Sequence, residues 1–180
     1  MRETHKLVIE HIKKIRQIPN LEESTIVFCL ESNLAFECQH LLHSIQNAGI
    51  KRWVALNEGA GGSLGWLTTN ERKEAMCLQL REALSVGKLH FCTDFFSTTQ
   101  GLREAKEQLE SEMRNYCVLV EASKTPFGKV KKTYSGKVGG RQDDLIITLQ
   151  LALIGSRVFY TEPRYRNFRP VSNEKTAELF

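Results

Sequence analysis

Few features of this sequence argue for an oxidised, membrane-spanning or nucleotide-hydrolysing protein. Its five cysteines, Cys29, Cys38, Cys77, Cys92 and Cys117, form no CxxC pair. Three of them fall inside apolar strand or helix patterns. Reduced, buried thiols are therefore expected, rather than a disulfide framework or a zinc site. No apolar run reaches the roughly 18 residues that a membrane span requires, so no membrane partner is expected. The GxxxxGK[ST] pattern occurs nowhere in the chain, which removes a P-loop cradle for a nucleotide. No signal-peptide pattern is expected, and the reduced cysteines suit an intracellular setting. Aspartate is scarce: Asp94, Asp143 and Asp144 are the only three, and two of them are adjacent.

What is present is ordinary for a globular chain. The 180 residues are 41% hydrophobic and 26% charged, enough for one domain with its own core. That domain is set at residues 1–160, with a polar, loosely held tail at 161–180. The net charge is +4 and the pI about 8.8, but the charge is unevenly placed. From Lys124 to Arg141 there are six basic residues, Lys124, Lys129, Lys131, Lys132, Lys137 and Arg141, and no acidic one. Arg157, Arg164, Arg166 and Arg169 follow. A basic flank of this kind suits a polyanionic partner, although a solvated loop would look the same.

The most informative stretch runs from Ser135 to Asp144 and straight into the apolar segment 145–154. Its first half is glycine-rich and basic. Its second half reads as a buried helix that opens on Asp143 and Asp144. Two carboxylates against a packed core are costly without a balancing cation. For hard oxygen ligands that cation is Mg²⁺ or Mn²⁺. Lys137 and Arg141 add positive charge suited to a phosphate. The plain alternative is an aspartate that only caps a helix.

Along the chain, helices are expected over Thr4–Ile18, Leu34–Gln46, Asn70–Ser85 and Thr99–Arg114. Strands are expected over Ser24–Leu30, Arg52–Leu56 and Tyr116–Val120. A basic hairpin-like region then precedes the acidic helix. Strands alternating with helices predict an α/β layered fold with a mostly parallel core sheet. Ligands of such sheets sit at the carboxyl ends of strands, which makes Glu31, at the end of the most apolar strand, a second candidate ligand. Without any partner it is an ordinary surface carboxylate.

Three runs then resemble a known family. They are Phe28-Cys29-Leu30-Glu31-Ser32-Asn33, Gly65-Trp66-Leu67-Thr68-Thr69-Asn70-Glu71-Arg72-Lys73, and Tyr134-Ser135-Gly136-Lys137 with Gly140-Arg141-Gln142-Asp143-Asp144. In this order they resemble the C-terminal nuclease domain of the herpesvirus large terminase subunit. The resemblance covers roughly Thr25 to Tyr160, and the last run is its most specific part. It implies an RNase H/integrase-like nuclease fold, with a mixed central sheet flanked by helices. It implies an endonuclease that cuts concatemeric double-stranded DNA into unit-length genomes, with two Mg²⁺ or Mn²⁺ ions as cofactors. The other terminase subunits and the capsid portal would be its partners, in the host cell nucleus. Glu31 matches the family's second acidic position. Asp143 or Asp144 matches the third, with Asp143 preferred as the ligand and Asp144 assisting. Lys73, Lys137 and Arg141 match phosphate-facing positions, and Lys124, Lys129, Lys131 and Lys132 extend the DNA-binding surface. The family's first-strand Asp would lie upstream of Thr4, so truncated N-terminal strands and weak cleavage by this chain are expected. Two rivals share these residues: a non-catalytic DNA- or subunit-binding module, and another RNase H-like enzyme such as a resolvase or transposase. A Cys–His enzyme is a poorer match, because none of His40, His43 and His90 has a convincing nucleophile context, and a pair at i, i+3 such as His40 and His43 is more often a helix surface pair.

Overall fold

The computed structural model describes residues 3–58, 64–90, 100–122, 130–137 and 142–168. The protein is a mixture of helices and short strands. Where the sequence suggests one domain over 1–160, the chain divides into two compact units. The first is Met1–Thr68 with Ile154–Phe180, and the second is Thr69–Leu153.

The first unit is built on a β-α-β crossover. Strand β1 (Ile26–Phe28) pairs in parallel with β2 (Trp53–Ala55), Val27 opposite Val54. Helix α2 (Ala35–Asn47) lies between them in the chain and ends at Gly49, whose φ is +71°. Helix α1 (Glu3–Ile15) buries His5, Ile9 and Ile12, a stripe at i, i+4, i+7 that fits one helix face. Leu7 and Ile15, equally apolar, fall off that stripe and stay exposed. Ile9 and Ile12 pack with Ile45 and Ile50, and Phe28 and Trp53 close the cluster edge-to-face at 6.2 Å.

A second cluster of this unit joins Val54 and Leu56 to Phe159 and Tyr165. Phe159 belongs to the last helix, α5 (Asp144–Thr161), and Tyr165 to the 3₁₀ turn Pro163–Phe168. The Tyr165 hydroxyl accepts the backbone N–H of Asn57 at 3.0 Å, and the Thr25 hydroxyl donates to the carbonyl of Phe168 at 2.9 Å. The tail was expected to be loose from residue 161. Instead an aromatic anchor holds it as far as Phe168, because burying Tyr165 with its hydroxyl paired is favourable. Residues 169–180 lie outside the described set.

In the second unit, helix α3 (Asn70–Ser85) is capped by Thr69, whose side chain accepts the Arg72 N–H, and it buries Met76 and Leu80. Gly87, with φ +66°, follows its end. A threonine hydroxyl at the start and a left-handed glycine after the end are favourable there. Helix α4 (Gln100–Asn115) follows. Strands β3 (Cys117–Glu121) and β4 (Lys131–Ser135) pair antiparallel, Leu119 opposite Thr133. The start of α5 contributes Ile146, Ile147, Gln150 and Leu151 to the interior.

The mixture of helices and strands is compatible with the α/β class that the sequence suggests. Among the described residues there are two separate two-stranded sheets, one parallel and one antiparallel. The hydrogen-bonding length of β1 is short because pairing beyond Phe28 becomes irregular. Leu56 N–H reaches the Phe28 carbonyl, then Trp66 N–H reaches that of Leu30. By length and composition α5 would also suffice to cross a bilayer. That property is common in a core helix, and α5 supplies buried residues to both units.

Gly155 on α5 faces β1's end closely. A Cβ at that position would lie 2.8 Å from the Cys29 Cβ. Gly155→Ala is therefore expected to cost about 1–3 kcal/mol by overpacking, read as a lowered urea midpoint. Burial also pushes the Cys29 thiol up from 9.0 to about 11. A raised acid stays protonated in the folded chain while it ionises in the unfolded one. Its stabilisation is whole below pH 9 and is lost as pH rises through 11. Cys29→Ser, which removes that titration, should flatten the fall in stability measured over this window.

Candidate functional site

Asp143 is the most deeply buried carboxylate of the described chain, at 2% exposure. It stands one residue before α5, and its carbonyl accepts the first helical bond, from Ile147 N–H at 3.1 Å. An aspartate in this N-cap position normally turns its side chain inward to accept the N–H of the second or third helical residue. Asp143 does not. Its Oδ2 accepts the Ser135 hydroxyl at 3.2 Å and the Gly136 N–H at 3.1 Å. Its Oδ1 lies 3.4 Å from the Lys137 ammonium. The Ser135 hydroxyl in turn accepts the Lys137 N–H at 3.0 Å. Gly136 fits tightly here, since a Cβ would fall 3.0 Å from that of Asp143.

Glu112 of α4, 4% exposed, supplies the helix cap instead. Its Oε2 accepts Leu145 N–H at 2.7 Å and Ile146 N–H at 3.0 Å. Its Oε1 accepts from the Gln108 amide, which also bonds Gln142. The positive end of the α5 dipole favours this buried negative charge.

Asp144 is exposed, and its Oδ1 lies 3.7 Å from the same Lys137 ammonium. Lys137 thus stands against both carboxylates. Asp143, then Asp144, hold its ammonium above the ordinary lysine range. The cation that two adjacent aspartates need is supplied by the chain itself. The donor set facing it, one oxygen from each aspartate, is also one that a hard divalent ion accepts.

Gln150 is 1% exposed, and its side-chain amide adjoins the Tyr116 hydroxyl. Burial chiefly, and Cys77 and Asp143 further, push the Tyr116 phenol to about 12. The Glu74 carboxylate beside Tyr134 pushes that phenol to about 12 as well.

Glu31 belongs to the first unit. Its Oε1 accepts the Asn33 amide at 3.1 Å and the Thr68 hydroxyl. The two sequence runs that contain these residues are clasped by backbone. Glu31 bridges Trp66, Ser32 N–H reaches the Trp66 carbonyl at 3.0 Å, and Trp66 N–H reaches the Leu30 carbonyl at 2.6 Å. Gly65, with φ +87°, permits this. A Cβ there would sit 2.6 Å from the Leu30 carbonyl oxygen.

The second unit therefore brings Asp143, Asp144 and Lys137 together, while Glu31 is placed in the first. Among the described residues, no group of three or more His, Cys, Asp or Glu side chains is arranged to hold a metal ion. Lys73 is half-buried on α3, and Lys132 lies 3.9 Å from Glu74. Lys131 pairs by its backbone with Glu121 in the β3–β4 ladder. Lys124, Lys129 and Arg141 lie outside the described residues. Sequence reasoning missed Glu112, Ser135 and Thr68 as partners of the acidic residues. Glu112 did leave a signal: with Ala105, Leu109 and Tyr116 it occupies the less exposed face of an otherwise charged helix.

Gly65→Ala should destabilise the first unit by about 2 kcal/mol or more, because both the left-handed φ and the carbonyl contact resist a Cβ. A urea midpoint equal to that of the unaltered chain would refute this account of the Glu31–Trp66 clasp. No protein-family model, no curated protein and no solved structure matches this chain, so its own residues carry the functional assignment.

Proposed function

We propose that the chain is a metal-dependent endonuclease domain acting on double-stranded DNA, of the RNase H-like kind found in the large terminase subunit that cuts packaged viral genomes. The observation that carries this reading is the Asp143–Asp144 pair sharing one ammonium, with the Asp143 carboxylate turned away from its own helix. Ser135, Gly136 and Glu112 together fix that orientation. Divalent metal, Mg²⁺ or Mn²⁺, would be held by one oxygen from each aspartate, and the motif around Glu31 suggests a metal-ligating role for that carboxylate too. When bound, such ions supply an activated water and stabilise the departing oxygen. Lys137, displaced from the carboxylates, becomes free to pair with a backbone phosphate. Lys73, Lys132 and the basic residues through Arg141 extend that contact, which is independent of base sequence and sensitive to salt. Terminase subunits, the capsid portal and the host nucleus belong to this proposal as its setting.

One observation favours a second reading. Asp143 already has two hydrogen-bond donors and an ammonium, so its burial does not require a metal. A DNA- or subunit-binding module would keep the same contacts.

The test is plasmid nicking in Mn²⁺, with Asp143→Ala and Glu31→Ala beside the unaltered chain. Loss of nicking in Asp143→Ala by roughly two orders of magnitude or more is expected, the scale on which a positioned catalytic group acts. DNA binding that persists with no nicking in any chain, and no rise of Tm with Mn²⁺, would instead establish the binding module.

A further inference from the structure

We infer that Glu112 is a positioning residue. By taking the N–H groups of Leu145 and Ile146, it keeps the Asp143 carboxylate out of its default helix-capping conformation and presents it to Ser135, Gly136 and Lys137. The importance of this for metal binding rests on the endonuclease reading; the positioning itself does not.

The argument is one of competition for donors. Helix α5 starts at Asp144, so Leu145 and Ile146 are its second and third residues. Their N–H groups are the two that an N-cap aspartate takes. Both are already bonded to one oxygen of Glu112, at 2.7 and 3.0 Å. That oxygen comes from a different helix, 33 and 34 residues earlier in the chain. Glu112 is itself held. Its other oxygen accepts the Gln108 amide at 2.9 Å, one turn back on α4, and that amide also reaches Gln142, next to Asp143. A buried carboxylate is expensive unless its oxygens are matched, and here three N–H donors and the helix dipole match it. With its own cap filled, Asp143 keeps Oδ1 on the open side, where Lys137 stands 63% exposed. The arrangement separates two tasks that one aspartate usually combines, closing a helix and offering a ligand oxygen.

Loss of Glu112 should let the Asp143 side chain swing to the vacated N–H groups, because two orphaned buried donors are costly. The Gly136 N–H would then lose its acceptor. A purely structural cap predicts the reverse pattern, in which 145 and 146 open and 136 is untouched. Amide hydrogen exchange by NMR on the full chain separates these, without metal or DNA. In Glu112→Ala, exchange at Gly136 should quicken by about tenfold or more, the equivalent of one hydrogen bond lost, while Leu145 and Ile146 stay protected. Should Glu112→Ala fail to fold, Glu112→Leu fills the space, lacks the acceptor and gives the same readout. Gly136 still protected in the folded variant, with 145 and 146 opened, overturns the inference. A separate Mn²⁺ titration of the unaltered chain, followed by line broadening at Gly136, tests the endonuclease reading. Its failure leaves the exchange result standing.

Discussion

The second unit depends on keeping two carboxylates inside it. Glu112 and Asp143 are both nearly inaccessible to water. Each would be strongly destabilising if isolated. Three different sources of positive potential resolve this: the donors at the start of α5 for Glu112, the Ser135–Gly136 turn for one oxygen of Asp143, and the Lys137 ammonium for the other. The α4 helix, the end of β4 and the start of α5 all converge on that solution. The rest of the unit can be understood as the scaffold that holds those three segments in register.

The first unit is organised by close backbone approach rather than by charge. Gly65 lets the Trp66 strand touch Leu30, and Gly155 lets α5 come against Cys29. Both glycines replace a side chain with proximity. Glu31 is positioned as a result, at a point where the ladder has become irregular and its carboxylate is left to Thr68 and Asn33. A strand end of this kind is where an α/β sheet usually presents its functional groups.

Much of the helical content could be read from the sequence because its signals are local. Thr69 before Asn70, Gly87 after Ser85 and Gly49 after Asn47 are caps and stops that act within a few residues. The pairing of the strands was less legible. Ile26–Phe28 and Lys131–Ser135 carry no mark of which neighbour each will choose, and register is set by contacts distant in the chain. At the site, the adjacency of Asp143 and Asp144 and the nearby Lys137 was evident from spacing. The role of Glu112 was not, because on a helix with Glu104, Glu107 and Glu110 a fourth glutamate looks like one more solvated charge. Only its position on the Leu109 face distinguishes it. The aromatic anchor at Tyr165 was hidden among the arginines of the tail for the same reason: composition averages over a segment, whereas burial picks out one residue.

Strand β3 carries Val118, Leu119 and Val120 with all of its residues exposed, and among the described residues it is paired on one side alone, to β4. An apolar ribbon in that condition is adhesive, since any extended peptide can add to it by main-chain bonds. Handling the purified chain thus becomes a question of colloid behaviour. At high protein concentration, intermolecular strand addition would compete with the monomer, and sedimentation would have to precede any rate measurement.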